Sequence, residues 1–271
     1  MGGLTRAYRQ AMLAASPFRP SSVSRAVISS GARAQIGVFL LAYLVYSAAR
    51  WVFVGDLGAA QEHAEWIVDL ERRLGVATEA SVQSALNGSL ILWLLNHAYL
   101  AAQLVVVPGA LIFLYRRSRP VYERLRNTIL ATWLISIPVY AAFPVAPPRL
   151  ADMGIVDTIS SQTGFAMDSS LTTSFYNELA AVPSLHVGFA VAVGIAIAAT
   201  VSRPLVKTAA LLWGPAIGLA VVATGNHFMF DIAAGVVASA AGYGIGTAAA
   251  RASSRPSASA GRALRPRLAE A

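Results

Sequence analysis

Six apolar stretches of membrane-spanning length recur along this chain of 271 residues, and no other feature restricts its fold as strongly. A backbone crossing hydrocarbon must satisfy its own N–H and C=O groups, and an α-helix does so within about 20 residues. The stretches are 36–54, 90–115, 127–143, 182–201, 205–224 and 228–249. They predict an all-α, polytopic membrane protein: a six-transmembrane-helix bundle over residues 36–250, between basic tails at 1–35 and 251–271 whose composition predicts disorder. Charged residues make up 13% of the chain, against roughly 25% in a soluble domain. The first long apolar run begins too late for the short apolar region of a cleavable signal peptide. Cysteine is absent, which excludes disulfides, thiolate nucleophiles and Cys-based metal sites.

The charges orient the bundle. Five Arg lie in the N-terminal tail, five in the loop 116–126, Arg203 and Lys207 in the next turn, and five in the C-terminal tail. Only Arg50, Arg72, Arg73 and Arg149 fall on the opposite side, and of the 13 acidic residues only Glu123 and Glu270 share the basic side. The excess of Lys and Arg in short cytoplasmic segments then places both termini in the cytoplasm, and the plasma membrane is the expected location. Orientation accounts for the basic tails, so they give no reason to invoke nucleic acid. Two polar segments remain outside. Residues 56–87 carry Trp66, Ile67, Leu70 and Leu74 at helical spacing among Glu62, Glu65, Asp69 and Glu71, the pattern of an extracytoplasmic amphipathic helix. Residues 151–181 form a long polar loop, a length that suggests a functional role such as a lid.

With this topology three separated polar clusters reach one leaflet. They are the turn 144–149, reading PVAPPR and ending at Arg149; the segment 181–186, reading AVPSLH, with Ser184 and His186; and the segment 226–231, reading NHFMFD, with Asn226, His227 and Asp231. The outer half of the second stretch brings Asn96, His97, Tyr99 and Gln103 to similar depth, either as interhelical hydrogen-bonding groups or as the lining of a cavity. His227 and Asp231 are four residues apart, on one face of a helix. Such a pair is either a structural contact or a base with its orienter, in which the carboxylate engages one imidazole nitrogen and leaves the other free to react. Two His, one Asp and one Arg together suit phosphoryl chemistry. One His can attack phosphorus, the other can protonate the leaving oxygen, and Arg149 can hold phosphate oxygens. Ser184 and the N–H groups opening the fourth stretch add donors at a helix N-terminus, and Asn226 stands beside His227 for the same purpose.

These three motifs resemble those of the type 2 phosphatidic acid phosphatase superfamily, and within it the branch of inositol phosphorylceramide synthase, an inositolphosphotransferase, and its bacterial relatives. The resemblance covers roughly residues 36 to 250. It implies a six-helix core and a phosphohistidine mechanism without metal or other cofactor. By resemblance His227 is the nucleophile, Asp231 its orienter, His186 the general acid, and Arg149 a phosphate contact. The phosphatase members carry a Lys seven residues before that Arg and an Arg six residues before the nucleophilic His. Ala142 and Val221 stand in those places here. Losing two phosphate-clamping charges favours exchange of a phosphodiester headgroup over hydrolysis of a monoester.

The implied enzyme takes a phosphoryl or phospho-headgroup unit from a membrane lipid and passes it to an alcohol, a polyol or water. A lipid phosphate phosphatase shares the first half-reaction. A transporter or a non-catalytic lipid-binding scaffold, and a haem or metal protein using His186 and His227, are the readings from other classes. No sequence feature addresses oligomeric state.

Overall fold

The computed structural model describes residues 30–52, 55–173 and 177–253. The remaining parts of both basic tails lie outside the described residues. The chain divides into two compact units, residues 1–44 and 45–271. In the first, the described segment is the opening part of helix α1 (Ser30–Val52), so helix begins before the apolar run does. The helices that follow are α2 (Leu57–Leu74), α3 (Glu79–Leu86), α4 (Leu90–Ala101), α5 (Val107–Arg117), α6 (Arg119–Ala142), α7 (Thr158–Thr163), α8 (Ser170–Thr173), α9 (Leu185–Ala198), α10 (Pro204–Ala223) and α11 (Met229–Ser253). No strand occurs among the described residues; Val145 and Ala180 form an isolated parallel bridge. The protein is all-helical.

Among the described residues, four helical segments are long and apolar enough to cross a membrane: Gly31–Ala49, Leu90–Arg117, Pro204–Ala223 and Met229–Ala248. The second of these is α4 and α5 joined through a π-helical turn, Ala102–Val106. The turn sits where Pro108, lacking an N–H and crowding the carbonyl four residues back, disturbs the regular ladder. Helix α6 is 24 residues long, but Arg119, Arg124 and Arg126 crowd its first turns. Helix α9 has 14 residues, about 21 Å of rise, where the sequence predicted a span over 182–201. Its buried face takes in Val187, Gly188, Phe189, Ala190, Val193 and Gly194, and it packs against α6, α10 and α11. It is an interior helix, which explains its near-uniform apolarity.

Small residues let these helices close on one another. A Cβ on Gly235 of α11 would collide with the Ser184 carbonyl at the start of α9. The Ser239 hydroxyl, further along α11, donates to the Gly188 carbonyl at 2.8 Å. Thr128, Thr132 and Ser136 of α6 turn their hydroxyls back onto carbonyls four residues earlier, which satisfies them inside an apolar bundle.

The segment 56–87 is two helices rather than one. Asp56 caps α2 by accepting from the Ala59 N–H, and Gly75 ends it in the left-handed conformation. The buried face of α2 is Ala60, Ala64, Ile67, Val68 and Glu71, while Trp66 and Leu74 of the expected stripe are exposed. Two apolar clusters result. One joins α2 to Val145, Ala146, Ala181, Val182 and Phe228; the other joins Tyr99 and Ile159 to Val187, Ala190, Ile217 and Val221. Gly235→Ala is expected to lower stability by about 1–3 kcal/mol through overpacking, read as a reduced thermal midpoint in detergent; an unchanged midpoint would mean that α9 and α11 do not approach this closely.

Candidate active site

The turn between α10 and α11 carries the central pair. Gly225 adopts a left-handed φ of 73°, and its missing Cβ leaves room for Ile155 and the Val156 carbonyl. The turn folds back so that the N–H groups of Asn226 and His227 both donate to the Val221 carbonyl, at 3.0 and 3.1 Å. His227 and Asp231 are buried, and His227 Nδ1 lies 3.1 Å from Asp231 Oδ2. That contact fixes the ring and leaves Nε2 unengaged by the carboxylate. The same Oδ2 accepts the Phe228 N–H at 2.9 Å.

Three consecutive N–H groups at the start of α11 are taken by three carboxylates from different places. Phe228 donates to Asp231, Met229 donates to Glu79 of α3 at 2.9 Å, and Phe230 donates to Glu71 of α2 at 2.6 Å. A helix N-terminus leaves these donors without intrahelical partners, and here buried acids supply the acceptors. Gln83 of α3 ties the other side of the turn. Its Nε2 donates to the Ala223 and Val156 carbonyls, and its Oε1 accepts the Val156 N–H.

The proline-rich turn docks on this platform. The Ala146 N–H donates to the Ala60 carbonyl, Gln61 Nε2 to the Leu150 carbonyl, and His63 Nδ1 contacts the Pro144 carbonyl at 2.7 Å. The Arg149 N–H donates to the Gly225 carbonyl, and Arg149 Nε donates to Asn226 Oδ1 at 3.1 Å. Asn226 is itself held by Nδ2 bonds to the Thr224 carbonyl and hydroxyl. The bridge between Val145 and Ala180 brings Glu178 to 4.0 Å from the guanidinium.

At the start of α9 the Ser184 N–H donates to the Asp231 carbonyl, while its hydroxyl accepts the Val187 N–H as the helix cap. Tyr140 of α6 fixes this segment by donating to the Pro183 carbonyl at 2.9 Å. The His186 ring stacks on Tyr99, centroids 4.0 Å apart, and stands 6.1 Å from the His227 ring. His186, His227, Asp231, Arg149, Asn226 and Ser184 are thus neighbours, although they come from segments up to 82 residues apart in sequence.

A family model of the PAP2 superfamily matches residues 65–245, which include all three polar motifs. The chain belongs to the PAP2 superfamily. No curated protein and no solved structure matches it. Membership assigns it lipid phosphatase or phosphotransferase type activity, and its apolar helices fit a membrane protein. Against the phosphatase pattern, the two replaced charges have clear surroundings. Val221 is fully buried in the apolar cluster with Tyr99, Ile159 and Val187, and Ala142 is exposed at the end of α6.

The residues of the second stretch separate into different roles. Asn96 is buried, but its bonds go to the loop: it donates to Gln162 and accepts from Thr158. His97 turns back on its own helix, with Nδ1 at 2.8 Å from the Trp93 carbonyl. Gln103 lies in the π turn, half-buried. Tyr99 alone of the four contacts a motif histidine through a described ring contact. Glu71, Glu79 and Gln83 were not singled out as site residues from sequence. The signal for Glu71 was present, since it continues the face defined by Ala60, Ala64 and Ile67, where an acid has no place unless it is bonded. Asn96→Ala is expected to cost about 1–3 kcal/mol by stranding the Thr158 and Gln162 side chains, and to speed proteolysis within 151–173; cleavage at the wild-type rate would detach Asn96 from the loop's stability.

Proposed function

We propose that the protein is an inositol phosphorylceramide synthase-like phosphotransferase of six spans, with both termini in the cytoplasm of a plasma-membrane protein and the site on the extracytoplasmic side. The observation that carries the chemistry is the buried His227–Asp231 contact beside a second imidazole. Asp231 holds the Nδ1 proton, so Nε2 of His227 presents its lone pair. Nε2 attacks the phosphorus of a lipid phosphodiester; the N–P bond forms as the P–O bond to the lipid alcohol breaks, and His186 gives that oxygen its proton. In the second half-reaction an acceptor hydroxyl attacks phosphorus, the N–P bond breaks, and the acceptor's proton returns to His186. Arg149, oriented by Asn226, holds the non-bridging oxygens through the transfer. Stacking on Tyr99 keeps the His186 ring in place.

Six spans are supported by the basic segments at alternate ends of the apolar stretches. A phosphodiester donor is supported by Val221. A phosphomonoester carries more charge than a diester, and an apolar residue in the sequence position of a guanidinium leaves that charge unmatched. Hydrolysis of a phosphatidate or polyprenyl phosphate needs only water in place of the alcohol, so one assay addresses both. Purified protein is given a panel of phospholipids and lipid phosphates, with and without a polyol. Free lipid alcohol together with the phospho-headgroup ester of the polyol, formed only when the polyol is present and lost in His227→Ala, is the expected result; free phosphate in the absence of polyol would make the protein a phosphatase instead. Arg149→Ala should lower turnover by roughly 10²–10³, the scale of a lost transition-state donor. Undiminished turnover would remove Arg149 from the site.

A further inference from the structure

The two glutamates at the start of α11 belong to no motif that the resemblance supplied, and their arrangement poses a problem of charge. Glu71 and Glu79 are buried, at 2% and 3% exposure, and Asp231 is buried completely. Each gives one oxygen to a backbone N–H of the same helix start. The second oxygen of Glu71, Oε2, is buried and meets no donor, and Glu71 stands within hydrogen-bonding reach of the Glu79 side chain. Two carboxylates facing one another are both acceptors, and a proton between them turns the contact into a hydrogen bond. A helix N-terminus carries only about half a positive charge, too little to balance three buried anions.

We propose that Glu71 and Glu79 share one proton, and that this acid–carboxylate pair is a positioning device that clamps the N-terminus of α11 and so sets the His227–Asp231 geometry. The clamp acts through the backbone. Glu79 and Glu71 hold Met229 and Phe230, the two residues between the His227–Phe228 turn and Asp231, so a shift of either carboxylate moves the orienter relative to the imidazole. Glu71 comes from α2 and Glu79 from α3, so the polar segment 56–87 is the outer jaw of this site rather than a surface ornament. The charged groups facing Glu71 are Glu79 from α3 and Asp231 from α11, with the His227 ring beyond Asp231. Burial, the bond with Glu79 and repulsion from Glu79 and Asp231 together push the Glu71 carboxyl up to about 8, against the opposing Phe230 N–H. The positioning part of the inference rests on the proposed chemistry; the shared proton does not.

The test uses the full chain in detergent, as wild type, E71Q and E71A. A carboxyl whose folded-state pKa exceeds its unfolded value binds more proton when folded, so it withdraws stability as pH rises between the two. Glutamine mimics the protonated acid and cannot titrate. The thermal midpoint of E71Q should therefore gain on that of wild type as pH rises from 4.5 to about 8, and the gap should stay constant above that range. A gap that does not change with pH overturns the shared proton. In the lipid assay E71A should lose roughly ten- to a hundredfold in turnover, as expected for a misplaced catalytic group, and E71Q should restore most of it. E71A turning over as wild type, or E71Q failing as badly as E71A, overturns the clamp. If wild type shows no turnover with any lipid, the proposed chemistry fails, and the midpoint series still decides whether the proton is shared.

Discussion

A carboxylate buried beside an imidazole, inside a bundle of apolar helices, is the contact on which the rest of this structure depends. An isolated buried Asp would cost several kcal/mol, and removing a partner from such a pair costs about as much. Asp231 is accommodated because the Phe228 N–H and the His227 ring both bond its Oδ2, and because α11 begins where it sits. The demands of that one group spread outward. The helix start must be held, which brings in Glu71 and Glu79; the turn before it must be tight, which requires Gly225 and Gln83; and α9 must lie close enough for the Ser184 N–H to meet the Asp231 carbonyl, which requires Gly235. Features that look separate along the chain are answers to one local problem.

The parts of the account legible in sequence are those that depend on residue type and depth. Apolar length gave a helical membrane protein, and charge asymmetry placed the three polar motifs near one another, as the structure does for Arg149, Asn226, His227 and His186. Tyr99 could be suspected from its polar neighbours, but its stacking on His186 depends on how α4 meets α9, which spacing does not encode. Asn96 and His97 show the limit of reading polar groups in a span as cavity lining. One was claimed by a loop more than 60 residues away and the other by its own helix.

The segment 56–87 was harder to read, for a physical reason. An amphipathic pattern identifies a buried face only when that face is apolar, and here Glu71 lies on it while Trp66 and Leu74 lie off it. Helical periodicity shows which residues share a face and gives no partner for an acid on it. The partners of Glu71 and Glu79 are backbone N–H groups some 150 residues away, which have no sequence signature. Helix α9 shows the opposite limit. Its uninterrupted apolarity does not say whether a helix faces lipid or protein, and much of its surface is buried against its helical neighbours over 14 residues.

In the proposed reaction the transferred group rests on the His227 ring, so the direct measurement is of that ring. Wild-type protein would be mixed with a phosphorus-labelled phospholipid without acceptor, quenched in alkali, and its peptides examined for phosphate that is stable to base and released by acid. Label is expected on the peptide containing His227, accumulating without an acceptor and discharged when a polyol is added before quenching. Label on another residue, or rapid lipid turnover with no labelled protein under any quench, would contradict it.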